Sequence, residues 1–257
     1  MSAVDLTPVT TVDRLLVALD FDGTLSPLVD EPMTARMSAA ARAAVERLVE
    51  APGTIVALVS GRSLRDLRII AEHEDSSRIL LAGSHGAEFW TPDRGVVTHP
   101  EDAATGALRA ELQRRAEEAT AGMRGVWIEP KTFGLGVHTR AADPATEEEA
   151  RRRVDGLVAE AAPHWRRRTG HNIVEYAFRS EGKDSAVAEL RAWTRADAVV
   201  FAGDDVTDED ALRSLSGGDL GIHVGDRESA ATLKVPDIDA LADVLLRLAT
   251  ERVARAQ

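Results

Sequence analysis

The 257-residue chain contains no cysteine, which excludes both a disulfide framework and a thiolate metal site. Aromatic residues make up only 4% of it, with a single tyrosine. No apolar run approaches the roughly 18–20 residues of a membrane span. The opening "MSAVDLTPVTTVDR" has no basic region followed by an apolar stretch, so it does not read as a secretory signal, and a cytoplasmic location is expected. Positive charge is also in short supply: 31 Lys and Arg against 43 Asp and Glu give a net charge of −12. Such a surface attracts neither nucleic acid nor an anionic membrane. It leaves open a small anionic substrate, which responds to the local field of a pocket. Lysine occurs only at Lys131, Lys183 and Lys234.

The content that remains is that of a globular domain, 44% hydrophobic and 29% charged. Short apolar runs at 15–19, 54–60, 78–83 and 198–203 read as buried strands, with further strands at 220–225 and 232–235. Segments 38–50, 63–74 and 183–196 carry apolar residues at helical spacing between them. Alternating strands and helices predict an α/β fold with a parallel sheet. The rhythm changes after residue 100. Helix (102–121), strand (125–131), strand (134–140), helix (144–162), strand (165–169) and strand (172–178) form an αββαββ block. An antiparallel block inside a parallel core predicts an inserted second domain, bordered by "TPDRGVVTHP" (91–100) and "RSEG" (179–182).

Ligands of open parallel sheets bind beyond the carboxyl ends of the strands. Asp20 and Asp22 stand at one such end, Ser60, Gly61 and Arg62 at another, and Asp204 and Asp205 at a third. If these strands are neighbours, their carboxylates crowd together and call for a cation. An all-oxygen donor set favours Mg²⁺. Ser60 and the amides after it suit an anion. Lys183 opens a helix, where a cation opposes the macrodipole, so its place makes sense if it reaches an anion. Together these are the parts of phosphoryl transfer through an aspartyl-phosphate.

"DFDGTL" (20–25), "SGR" (60–62), Lys183 and "GDDVTDED" (203–210) resemble the four ordered motifs of the haloacid dehalogenase superfamily of phosphohydrolases. "GSHGAE" (83–88), "EPKTFGLGVHTR" (129–140), "GHNIVEY" (170–176) and "EGKD" (181–184) resemble the narrower trehalose-6-phosphate phosphatase family. The resemblance runs from about residue 14 to 245. It implies a Rossmann-like catalytic core over 1–100 and 180–257 and an α+β cap of C2 type over 101–179. It also implies hydrolysis of trehalose 6-phosphate, with Asp20 as nucleophile and Asp22 as general acid, then base. Mg²⁺ is implied at Asp20, the Asp22 carbonyl oxygen and Asp204, supported by Asp208 or Asp205. Ser60, Gly61 and Lys183 are implied at the phosphoryl oxygens. Glu129, Lys131, Arg140 and Glu175 match the family's sugar-contacting positions, with Arg62 and His85 on the core.

The chain departs from the family at His138–Thr139–Arg140, at "EYAF" (175–178), at Asp184 and at Leu212. None of these removes a catalytic group. The departures in the insert leave room for another substrate, such as sucrose phosphate or a glucosyl- or mannosyl-3-phosphoglycerate. A catalytically retired partner of a synthase is disfavoured because nucleophile and acid are both present. A phospho-accepting signalling domain is disfavoured by Asp22 and by the insert. Association with a trehalose-phosphate synthase stays open, and a monomer is expected. The tryptophans Trp90, Trp127, Trp165 and Trp193 are expected in the core or at hinges.

Overall fold

The structure, a computed structural model, describes residues 4–98, 102–170, 172–178 and 181–255. His99 and Pro100 of one expected border, Arg179 and Ser180 of the other, and His171 of "GHNIVEY" lie outside the described residues.

In chain order the first unit holds α1 (Thr7–Thr10), β1 (Leu15–Leu19), α2 (Ala39–Glu50), β2 (Thr54–Val59), α3 (Leu64–Ile70), β3 (Leu80–Gly83), β4 (Glu88–Thr91) and β5 (Gly95–Thr98). The chain then forms α4 (Ala103–Ala119), β6 (Trp127–Lys131), β7 (Gly134–His138), α5 (Pro144–Ala161), β8 (Arg166–Gly170) and β9 (Ile173–Ala177). It returns through α6 (Lys183–Thr194), β10 (Ala198–Gly203), α7 (Glu209–Ser214), β11 (Leu220–Val224), β12 (Leu233–Val235) and α8 (Ile238–Arg255). Two compact units result, one of residues 1–98 with 181–257, the other of residues 99–180.

The first unit is built on an eight-stranded sheet in the order β12-β11-β10-β1-β2-β3-β4-β5. Its first six strands are parallel, and β4 and β5 add antiparallel at the edge. β1 lies between β10 and β2 and is buried along its whole length, which is why it reads as an unbroken apolar run. Alternate side chains serve opposite faces. Leu15, Val17 and Leu19 pack with α2, α3 and α8, through residues such as Leu48, Leu67 and Leu245. Leu16 and Ala18 pack with Leu190 of α6 and Ala211 of α7. Serine caps fix where two of these helices start: Ser38 Oγ accepts from the Ala41 N–H, and Ser63 Oγ from the Asp66 N–H, both at 3.1 Å.

Segment 91–98 differs from its expected role as a border. Its residues Gly95–Thr98 pair with Glu88–Thr91 as a hairpin that extends the core sheet. Helices α1, α7 and α8 add to the expected elements, and α8 packs Leu241, Leu245 and Leu248 against the core.

The second unit is a four-stranded antiparallel sheet, β6-β7-β9-β8. One face carries Leu135, Val137, Val174 and Tyr176, packed with Leu112 and Ala116 of α4 and Val154 and Val158 of α5. Both helices begin on an aspartate, Asp102 and Asp143, whose side chains accept from first-turn N–H groups. The register places Trp127, Glu129, Lys131, His138 and Glu175 on the opposite face.

Candidate active site

Strands β10, β1, β2 and β3 are consecutive in the sheet, so the loops at their carboxyl ends are neighbours. Asp204 follows β10, Asp20 follows β1, Ser60 follows β2, and His85 lies just past β3. Asp20 is 4% exposed. Its Oδ1 accepts from Lys183 Nζ at 2.5 Å, and its Oδ2 accepts from Thr24 Oγ1 at 3.0 Å. The same lysine donates to Asp208 Oδ1 at 2.6 Å, and Thr24 Oγ1 also lies 3.2 Å from Asp204 Oδ1.

Asp208 is fully buried and is set by its own turn. Its Oδ2 accepts from the Asp204 N–H at 3.1 Å and from the Asp205 N–H at 2.9 Å. Asp205 instead directs its carboxylate to Arg227 at 3.3 Å. Asp20, Asp204 and Asp208 each offer an oxygen within 4.8 Å of the others.

Two glycines allow this packing. Gly23 has φ +80°, and a Cβ there would lie 2.1 Å from the Asp204 carboxylate. A Cβ on Gly203 would lie 2.2 Å from Asp208 Cγ.

The charges do not balance. Three carboxylates face one ammonium. Burial, with Asp208 and Asp204 nearby, raises the Asp20 carboxyl well above the usual range against the pull of Lys183. Burial and the Asp208 charge push Asp204 up to about 6. Burial opposes the Lys183 charge, but Asp20 and Asp208 outweigh it and hold the ammonium firmly protonated. A buried, all-oxygen donor set with excess negative charge fits a divalent, oxygen-seeking cation.

Asp22 sits at the rim, its side chain about a quarter exposed. Arg62 grips it through two bonds, Nε to Oδ2 and an Nη to Oδ1, both 2.6 Å. Ser60 is buried, and its Oγ accepts the Arg62 N–H at 3.1 Å. The His85 ring packs on Gly61, where a Cβ would lie 2.7 Å from ring atoms. Ser84 and His85 both adopt left-handed φ, +49° and +57°, a strained pair in a short loop. That loop is tied down by Glu88, which accepts from Ser84 Oγ at 2.6 Å and from the Leu64 N–H at 3.0 Å.

The residues expected to contact sugar in the insert form a second cluster, within the second unit. Lys131 Nζ lies 2.9 Å from Glu129 Oε2 and 3.2 Å from Glu175 Oε1. Burial lowers the affinity of Lys131 for its proton, but Glu175 and Glu129 outweigh it and raise its pKa. His138 Nε2 is 2.6 Å from the same Glu129 oxygen. Burial raises the Glu129 pKa, but His138 and Lys131 prevail and lower it overall. Arg140 is exposed in the turn after β7.

Sequence reading missed three members of these clusters. Thr24 stands inside "DFDGTL", four residues from Asp20, and bridges two carboxylates. His138 lies on the same strand face as Glu129, and the strand register carries that signal. Trp127 is the third. It is 45% exposed, in contrast to the expected core or hinge position, because the face it occupies is the one without helices.

Residues 18–235 match the family model described as trehalose-phosphatase. The chain belongs to the trehalose-phosphatase family. It is 33% identical over 259 residues to the trehalose-phosphate phosphatase of Mycolicibacterium paratuberculosis (strain ATCC BAA-968 / K-10), covering 91% of this chain and 62% of that protein. The "Probable trehalose-phosphate phosphatase" of Sinorhizobium fredii (strain NBRC 101917 / NGR234) is 32% identical, with 93% of this chain and 89% of that protein aligned. The chain spans about three-fifths of the length of the mycobacterial trehalose-phosphate phosphatases it matches, 62% of one and 63% of another.

Among solved structures, the C-terminal domain of C. albicans trehalose-6-phosphate phosphatase superposes with a TM-score of 0.78 at 20% identity, over 95% of both chains. A haloacid dehalogenase-like hydrolase from B. subtilis superposes at 0.60 with 15% identity, over 90% of this chain and 98% of that one. These likenesses show the fold alone: α/β, with a sheet that is mainly parallel, shared with that haloacid dehalogenase-like hydrolase.

Proposed function

We propose that this chain is a Mg²⁺-dependent phosphatase that hydrolyses trehalose 6-phosphate to trehalose and phosphate through an aspartyl-phosphate on Asp20. The observation that carries the reading is Asp20 itself. A buried carboxylate is held between an ammonium and a hydroxyl, with two further carboxylates converging on it. Asp20, Asp204 and Asp208, with the Asp22 carbonyl oxygen, would hold Mg²⁺. The ion would supply positive charge to the phosphoryl oxygens and to the crowded carboxylates.

In the first half-reaction an Asp20 oxygen attacks phosphorus, and the bond to the sugar oxygen breaks. Asp22 gives its proton to that oxygen, so trehalose leaves as a neutral alcohol. Protonation of this kind is worth roughly 10²–10⁴-fold. In the second half-reaction Asp22 takes a proton from water. The water oxygen attacks phosphorus, the bond to Asp20 breaks, and phosphate leaves with Asp20 regenerated. Lys183 orients Asp20 and, with Ser60 and the Gly61 amide, holds the phosphoryl oxygens.

In this reading the first unit is the catalytic core and the second is the cap that reads the sugar. Glu129, Lys131, Arg140 and Glu175 are assigned to sugar hydroxyls, with Arg62 and His85 on the core. A lysine fixed between two glutamates is a pre-formed donor flanked by acceptors, and charge-assisted hydrogen bonds are the stronger kind.

One observation favours a second substrate. Arg166 and Arg168 of β8 share the sheet face of Glu175, with Arg168 directly in register with it. Two guanidinium groups there suit a sugar phosphate that also bears a carboxylate, such as a glycosyl phosphoglycerate. Phosphate release from a panel of sugar phosphates, with Mg²⁺ and with chelator, decides between them. The proposal expects Mg²⁺-dependent release, fastest from trehalose 6-phosphate and lost in Asp20→Asn. Faster release from a glycosyl phosphoglycerate moves the substrate. Release that survives the substitution or the chelator overturns the mechanism.

A further inference from the structure

The open face of the second unit's sheet carries a large apolar ring that the assignments above leave unused. The Trp127 indole lies flat on the His138 imidazole, with ring centroids 4.4 Å apart and planes within 2°. The stack follows from register, because Trp127 and His138 are directly opposed across β6 and β7. It is also held in place: His138 Nε2 is fixed at 2.6 Å from Glu129, and Glu129 binds Lys131. The indole is therefore not a loose surface side chain. It is the end of a chain of contacts that runs Trp127, His138, Glu129, Lys131, Glu175.

A cross-strand pair accounts for the contact with His138. It does not account for the 45% of Trp127 that stays accessible on a face whose other members are fixed polar groups. An indole exposed to that degree gains by being covered. A hexopyranose has the matching chemistry, with apolar C–H groups on a ring face and hydroxyls around the rim. A flat aromatic surface beside a row of charged donors and acceptors satisfies both parts at once.

We propose that Trp127, stacked on His138, is a further sugar-contacting residue that packs flat against one pyranose ring of the substrate. The inference rests on the sugar-phosphate reading given above. It adds a selectivity for ring form that hydrogen-bonding side chains alone do not impose.

The test uses the full chain and the sugar phosphate that it hydrolyses fastest. Trp127→Ala raises KM roughly three- to tenfold, the loss of one ring contact, with kcat within about twofold. Trp127→Phe restores most of the loss. Inhibition by inorganic phosphate, which has no ring, is unchanged in both variants. A wild-type KM in Trp127→Ala overturns the proposal. So does an equal loss in both variants accompanied by weaker phosphate inhibition, which marks general damage to the fold.

The two readings fail separately. If another hexose phosphate replaces trehalose 6-phosphate, the substrate assignment falls and the Trp127 comparison is made on that compound. If no sugar phosphate is hydrolysed, calorimetric titration with trehalose decides. Binding weakened by Trp127→Ala and recovered by Trp127→Phe supports the contact, and absence of binding to the wild type overturns it.

Discussion

Arg62 holds Asp22 by both carboxylate oxygens at once, two bonds of 2.6 Å from one guanidinium. The pair joins the carboxyl ends of β1 and β2. It fixes the direction of Asp22 in its carboxylate form, the form that takes a proton from water in the proposed second half-reaction. A lysine cannot reproduce a planar two-pronged contact. Arg62→Lys is therefore expected to lower kcat/KM for the sugar phosphate about tenfold or more, in steady-state assays at saturating Mg²⁺. An unchanged kcat/KM shows that Asp22 needs no such orientation.

Lys183 is the cation between Asp20 and Asp208, and all three side chains are buried. Removing one member of such a cluster leaves uncompensated charge, at a cost of about 3–5 kcal/mol. Lys183→Met is expected to lose stability of that order in chelator near pH 8, measured by urea unfolding. The loss shrinks toward pH 5, where the freed Asp20 carboxylate, whose pKa burial already raises, takes up a proton. It also removes phosphatase activity.

The metal-free protein has a pH signature of its own. Asp204 has a folded pKa of about 6 against 3.8 in an ordinary setting. Between these values the folded chain binds more protons than the unfolded one, so this group makes stability fall as pH rises. The window runs from about pH 4 to pH 6, and the effect is on the order of 1–3 kcal/mol. Depressed carboxylates elsewhere act in the opposite sense, so the measurement is a difference. In chelator, Asp204→Asn is expected to gain stability relative to the wild type as pH rises through that window. Parallel curves for the two proteins contradict the prediction.

Gly23 combines a positive φ with a Cβ position 2.1 Å from the Asp204 carboxylate. Gly23→Ala is strained in its backbone, by about 1–3 kcal/mol, and it also displaces Asp204. At least a tenfold fall in kcat is expected, with a lowered melting temperature. Full activity in this variant means that Asp204 tolerates displacement and is not needed where it stands.

The helix side of the second unit supplies the control. Tyr176 Oη donates to Asp155 at 2.7 Å on the face away from Glu129 and Lys131. Tyr176→Phe is expected to cost about 1 kcal/mol of stability and to leave kcat/KM within twofold. A larger kinetic loss makes that face part of the site.

The central strand and its two aspartates were legible because β1 is buried on both faces, so burial leaves no alternation to blur the strand and the charges stand out at its end. Asp208 and Asp205 could not be told apart in the same way. Both are acids in one turn, and only the backbone shows that Asp208 folds back onto two amides while Asp205 turns out to Arg227. The β4–β5 hairpin lies partly under the Pro-Asp-Arg-Gly punctuation that reads as a linker. Helix α8 went unread, although Leu241, Leu245 and Leu248 recur at helical spacing along it and pack on the core. Trp127 was hidden for a different reason: strand period assigns it a face, but which face of an insert stays open depends on where both of its helices pack.

The measurement that bears most directly on the account is identification of the phosphorylated residue. The full chain with Mg²⁺ and trehalose 6-phosphate is quenched in acid during turnover. Borohydride then reduces any acyl phosphate to the alcohol, and the peptides are sequenced by mass spectrometry. The account predicts homoserine at position 20 and nowhere else. Reduction at another carboxylate, or steady phosphate release with residue 20 unmodified at every quench time, contradicts it.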